Sequence, residues 1–176
     1  ERGDLLIITH DNYTNLFYND DYDGDSFISW KNKKGITTHL VSVNDSNNDP
    51  DSIQTIIDSY YLEENLLFVI LVGDKHEIES NQTTIEIDAA SDQIYAYING
   101  NDYYPEVYIG RFSSRGESNS KIDNIKTQIE RVITYERDPV SGGDWYEKAT
   151  MLGSNEGADI GNQGESDCDH AQVLKD

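Results

Sequence analysis

Apolar residues in this chain fall in short runs separated by polar turns rich in Asn, Asp and Gly, and the spacing within and between runs predicts alternating strands and helices. Residues 4–9, DLLIIT, suit a buried strand. Phe27, Ile28, Trp30 and Lys31 lead into KNKKG, where Gly35 is a natural C-terminal stop for an amphipathic helix. Residues 36–43, rich in Thr and Val, read as a second strand. The stretch NDSNNDPDS is a loop and a helix start, with Pro50 near the first turn and Asp49 or Asp51 as the cap. Ile53, Ile56, Ile57, Tyr60 and Tyr61 follow at helical spacing. Residues 66–72, LLFVILV, are the most hydrophobic segment, and an apolar run of that length after a helix predicts the central strand of a parallel sheet covered on both faces. Residues 106–110 supply a short strand, and 119–136 a long helix with Ile122, Ile125, Ile129, Val132 and Ile133 inward. Residues 149–152 begin a last strand, and 168–175 open a helix. This alternation predicts an α/β fold, a three-layer sandwich on a mostly parallel sheet with right-handed crossovers.

Charge narrows the partners. The 176 residues carry 34 acidic and 13 basic side chains, a formal charge of -21, on a chain long enough for one sizeable core but not for a second independent domain. Such acidity argues against nucleic acid, whose binders concentrate Lys and Arg. It fits a surface kept soluble by charge, or carboxylates gathered around hard cations. The sequence shows no apolar run of membrane-spanning length and no basic-then-apolar leader, so neither a membrane span nor a retained signal peptide is expected, and an exported protein would already have lost its targeting segment. Cys168 is the single cysteine, which excludes an internal disulfide and leaves the redox compartment open. No internal repeat is visible.

Several segments carry candidate chemistry beside a plainer role. NDDYDGD, residues 19–25, alternates oxygen ligands around Gly24, but an EF-hand needs a carboxylate six residues beyond its glycine, where Trp30 stands. The segment reads instead as a solvated acidic turn or a looser cation contact. LVGD places Asp74 at the C-terminal end of a strand, the edge where sites of open parallel sheets gather, and Asp92 could join it from a neighbouring loop. The densest cluster is NGNDYYPE: Asp102 and Glu106 offer carboxylates while Asn99 and Tyr104 can turn carbonyls inward, a set that suits Ca²⁺ or an ordinary turn. In GSNEGADIGNQGESDCDH, Glu156 could orient an imidazole and Asp167 could pair with a cation at the base of a pocket. Asp169 and His170 could simply cap and continue a helix. Cys168 and His170 are two apart, so on one helix they point in different directions and make a poor nucleophile and base; a semi-buried helical Cys168 is expected. Neither a GxxxxGK[ST] loop nor a GxGxxG turn supports a nucleotide-handling domain.

The ordered series LVGD, WKNKKG, SDQIYAYINGNDYYPEVYIGRFS, KTQIERVITYER, SNEG and NQGESD with His170 resembles the amino-terminal subdomain of the gingipain catalytic domain, over nearly the whole chain. That family comprises Arg- or Lys-specific cysteine peptidases with two adjacent caspase-like α/β subdomains, secreted or held at the bacterial surface. The resemblance implies that the nucleophilic cysteine and general-base histidine lie on a C-terminal catalytic subdomain beyond this sequence, possibly a separate processed chain. It implies that Glu156 approaches the catalytic histidine, that Asp167 receives a basic P1 side chain, arginine by preference, and that Asn99, Asp102, Tyr104 and Glu106 bind calcium. Asp74 is implied for a second cation or for contacts between subdomains, and Asp176 for a processing site or a truncation. The competing expectation is a noncatalytic, calcium-stabilised adhesion or scaffold module.

Overall fold

Leu5, Leu6, Ile7 and Ile8 are consecutive, so a strand here presents hydrocarbon on both faces whichever way it is turned. The computed structural model describes residues 3–22, 24–83, 89–100, 102–139, 141–151, 153, 164 and 166–175. It places Asp4–His10 (β1) inside a sheet, with Thr38–Val43 (β2) on one side and Leu66–Val72 (β3) on the other, both parallel to it. Tyr108–Phe112 (β6) pairs in parallel with β3, completing the order β2-β1-β3-β6. Leu6 and Ile8 point into one core with Val69 and Leu71, covered by Ile53 and Ile57 of the helix Pro50–Glu63 (α2). Leu5 and Ile7 point into the other, covered by Phe27 of Phe27–Lys33 (α1) and by Ile125, Ile129 and Ile133 of Lys121–Arg137 (α3). Helices on both faces of a parallel sheet make the expected three layers.

The helices start and meet as their sequences dictate. Asp49 caps α2, accepting from the Ser52 amide at 3.0 Å and the Ser52 hydroxyl at 2.6 Å, with Pro50 in the first turn. α1 and α3 are joined through Glu136, which accepts from Trp30 Nε1 at 3.0 Å and Lys31 Nζ at 2.6 Å and pairs with Lys34 at 3.1 Å.

Some expectations shift. The central position is shared: β1 is the more completely buried strand, while β3 has half-buried residues at Leu67, Phe68 and Ile70 beside β6. β6 starts at Tyr108 rather than 106 because Glu106 is used inside the preceding loop. Ile122, in the first turn of α3, is exposed, whereas Val132 packs on the core as expected. A 3-10 turn at Asp11–Phe17 and an antiparallel pair, Asn81–Thr83 (β4) with Ala89–Ser91 (β5), were not legible as elements. The acidic segment 19–25 is solvated at 19–21 and 24 but not at its end: Asp25 is buried, accepting from Ser29 at 3.1 Å and Lys33 at 2.5 Å.

Glu1–Pro139 forms one compact unit and Val140–Asp176 another. In the second, Ala149–Met151 make no ladder among the described residues, so the expected strand is not found there. Asp167–Lys175 (α4) begins after Ser166, whose hydroxyl accepts from the Asp169 amide at 3.3 Å and donates to Asp169 Oδ2 at 2.8 Å. Gly153 lies so close to this turn that a Cβ there would come within 2.9 Å of the backbone of Asp167 and Cys168.

Replacing Asp49 with Ala removes the α2 cap, and urea unfolding of the full-length protein should show a loss of about 1 kcal/mol with an unchanged m-value.

Candidate functional site

The strand order turns at β1 and β3: from β1 the chain moves to β2, and from β3 it moves the other way to β6. In open parallel sheets the crevice beyond the carboxyl ends of such strands is the usual ligand position. His10 ends β1, and Gly73, at φ 138°, and Asp74 follow β3. His10 is buried, its Nδ1 accepting from the Asn12 amide at 3.3 Å and its Nε2 lying 3.2 Å from Asp45 Oδ1. Asp74 is half-buried; Oδ1 accepts from the Lys75 amide at 2.9 Å, and Oδ2 is 3.5 Å from the largely exposed Arg115.

The crevice itself is occupied by a carboxylate that sequence reasoning passed over. Glu77, 8% exposed, takes the Tyr13 hydroxyl at 2.6 Å and Lys121 Nζ at 2.8 Å on Oε1. Its Oε2 takes the Ser114 hydroxyl at 2.5 Å and the Asp74 amide at 2.8 Å. Those four bonds use the lone-pair sites a carboxylate has. Burial alone would raise the Glu77 pKa, but the Lys121, Ser114, Tyr13 and Asp74 donors outweigh it and hold the group down at about 2. Burial, with Glu77 beside it, pushes Tyr13 up to about 12. Arg111 fastens the same end of β6: it makes a bidentate pair with Asp92 at 2.8 Å from both Nε and Nη2, and donates to the carbonyls of Gly73 and Ile78. Asp92 is thereby engaged as the partner of Arg111. The available signals were faint: an acidic residue three positions after Asp74, and a lone Arg in an otherwise apolar strand.

The acidic loop lies elsewhere. It leads into the start of β6, where Tyr108 pairs with Phe68, while Asp74 follows β3 beside Phe112 at the other end. The two are separated by roughly 15 Å of strand. Within the loop, Glu106 Oε2 accepts from the amides of Ile98 at 2.8 Å and Asn99 at 3.3 Å, and Asp102 Oδ1 accepts from the Tyr104 amide at 2.9 Å. Each carboxylate thus keeps an oxygen outside these bonds. Asn99, Asp102 and Tyr104 are exposed and Glu106 is half-buried. Among the described residues no third His, Cys, Asp or Glu joins them in a ligand group. A cation here would therefore need carbonyl or water oxygens, which the chemistry of Ca²⁺ accepts. Gathered His and carboxylate ligands of the kind that hold metals do occur elsewhere in the fold.

In the second unit Asp167 is half-buried in the first turn of α4. Cys168 is exposed rather than semi-buried, its thiol 3.6 Å from the Gly153 carbonyl. Glu156 and Asp176 lie outside the described residues.

Similarity to known proteins decides the lineage. The model of peptidase family C25 matches residues 1–176. The chain belongs to peptidase family C25. It is 34% identical to Gingipain R2 of Porphyromonas gingivalis over 178 residues, covering 99% of this chain and 22% of that protein. It is 37% identical to Gingipain R1 of the same species over 159 residues, covering 87% of this chain and 15% of that protein. The crystal structure of the Arg-specific cysteine proteinase gingipain R superposes with a TM-score of 0.76 at 34% identity, over 98% of this chain and 38% of that one. The chain thus spans about a fifth of the length of the curated C25 relatives it matches. Among the described residues no helix is long and apolar enough to cross a membrane.

For this C25 chain, Glu77 makes stability depend on acid. Its folded pKa lies below the unfolded value, so its contribution is fully present above about pH 5 and is lost as pH falls toward 2. Glu77→Gln should cost on the order of 2 kcal/mol at pH 7 in urea unfolding, after allowing for screening around the exposed Lys121, and the gap to the parent should narrow below about pH 4.

Proposed function

We propose that this chain is the amino-terminal subdomain of a secreted or cell-surface cysteine endopeptidase that cleaves after basic residues, arginine by preference. The observation carrying this reading is the match of 98% of the chain, at 34% identity, to 38% of an Arg-specific cysteine proteinase. The cysteine and histidine are supplied by a C-terminal catalytic subdomain, in the same chain or as a processed companion. Its thiolate attacks the P1 carbonyl carbon, the histidine passes a proton to the leaving amine, and water then releases the acyl group from sulfur. Glu156 holds that imidazole, and Asp167 receives the P1 guanidinium. Arginine is preferred because its planar fork can bond a carboxylate through two parallel N–H groups, whereas lysine is a point charge. An acidic residue in the first turn of α4 also suits the positive end of that helix.

The loop 97–107 is read as a calcium site, with carboxylates from Asp102 and Glu106 and carbonyls from Asn99 and Tyr104. Its all-oxygen donors and irregular backbone fit that ion. Bound calcium would neutralise the loop and fix its shape; Asp74 serves a separate cation or the contact between subdomains. The protein substrates, the catalytic partner and the extracellular location belong to the same proposal.

In the full-length protein, Asp167→Asn should lower kcat/KM on Arg peptides on the order of 100-fold while circular dichroism stays unchanged. Cleavage at the parent rate would remove Asp167 from P1 recognition, and an alkylation-insensitive parent would remove the thiol mechanism itself. Calcium at about 100 times its Kd should stabilise the parent by ~2.7 kcal/mol in thermal melts, and this increment should disappear in Asp102→Asn/Glu106→Gln.

A further inference from the structure

Three potential ligands of mixed chemistry meet at the edge of the sheet where its strands begin. Asp4 opens β1, His39 is the second residue of β2, and Glu64 follows the last turn of α2. Backbone pairing holds them there. Leu5 lies opposite Thr38 and Leu6 opposite His39 in the β1–β2 ladder, while the Asp4 amide donates to the carbonyl of Asn65 at 2.7 Å, next to Glu64. His39 Nε2 is 3.1 Å from Asp4 Oδ2, and one ligand atom from each of Asp4, His39 and Glu64 lies within 4.8 Å of the other two. The imidazole is oriented by Tyr60 of α2, whose ring meets it edge-on with centroids 5.2 Å apart. Asp4 and His39 are half-buried and Glu64 is exposed.

We propose that Asp4, His39 and Glu64 form a binding site for a zinc-class divalent ion. Tetrahedral zinc with bonds of about 2.0–2.2 Å holds neighbouring ligand atoms about 3.3 Å apart, so the Asp4–His39 spacing needs an adjustment of only a few tenths of an ångström. Glu64 is exposed and can rotate inward to complete three protein ligands, with water as the fourth. A simple His–carboxylate pair would account for Asp4 and His39 but not for a third ligand held beside them by a different element. The nitrogen donor selects the metal: imidazole with carboxylates suits Zn²⁺, whereas Ca²⁺ takes oxygen shells. The site is thus distinct in chemistry from the all-oxygen loop 97–107. An ion here ties the starts of β1 and β2 to the end of α2, so it acts on stability.

The test uses the full-length protein with its reactive thiols alkylated and calcium saturating, titrated with Zn²⁺ by calorimetry and with Co²⁺ by visible absorption. The parent should bind one equivalent of Zn²⁺ that His39→Gln lacks, and Co²⁺ should give a tetrahedral spectrum that the same variant abolishes. Glu64→Gln, at an exposed position the fold does not depend on, should weaken Zn²⁺ at least about tenfold. Unchanged Zn²⁺ stoichiometry and affinity in both variants would overturn the proposal. Should His39→Gln fail to fold, an unchanged affinity in Glu64→Gln overturns it alone.

Discussion

Strand β1 cannot meet water on either face, and the remaining architecture follows from that constraint. Six of its residues, Leu5 to His10, are buried, with Leu5 and Ile7 in one core and Leu6 and Ile8 in the other. An interior strand needs neighbours on both sides to pair its backbone and a helical layer on each face to cover its side chains. The chain supplies both by sending the connection after β1 through α1 on one face and the connection after β2 through α2 on the other. Loops are thereby confined to the two edges, and polar chemistry with them.

The same constraint governs the charge. With 34 acidic residues against 13 basic ones, some carboxylates turn inward, and each that does so is met by a donor. Asp25 has Lys33 and Ser29, Glu77 has Lys121, Ser114 and Tyr13, Asp92 has Arg111 and Ser80, and Glu136 has Lys31, Lys34 and Trp30. In all four the partners hold the carboxyl below its ordinary pKa, against burial that pushes the other way. Five of the 13 basic side chains, Lys31, Lys33, Lys34, Lys121 and Arg111, are used in these pairs. The eight basic side chains that remain are outnumbered by the other carboxylates, which is a physical reason for an acidic edge such as 97–107 to recruit a metal ion.

What could be read from the sequence divides along the same line. Hydrophobic runs are local, so β1, β2, β3, α2 and α3 were legible to within a few residues, and the family lineage was carried by ordered motifs. The Glu77 cluster draws on positions 13, 74, 77, 114 and 121, and the Asp4–His39–Glu64 group on three elements. No local pattern announces contacts of that kind, because strand order and register bring them together. Of the strand expected at 149–152, residues 149–151 make no ladder among the described residues and Leu152 lies outside them; a short apolar run becomes a strand only where an edge pairs with it. Asp102 and Glu106 could be singled out as candidates because a loop can bring two carboxylates four apart together without tertiary help.

The saturation of Glu77 bears on where reaction can occur. A carboxylate bonded at every lone-pair site and held ionised down to about pH 2 neither accepts a proton at neutral pH nor turns to meet a substrate. The crevice that the fold offers to a ligand is closed by the protein's own side chains. This unit therefore works as a support: Glu77 joins the ends of β3 and β6 to the turn after β1 and the start of α3, and Arg111 joins β6 to the turns after β3. Acyl transfer tolerates little displacement between nucleophile, base and bound P1 residue. In the proposed peptidase the reactive groups therefore belong outside this unit, with Glu156 and Asp167, beyond Pro139, the residues proposed for them.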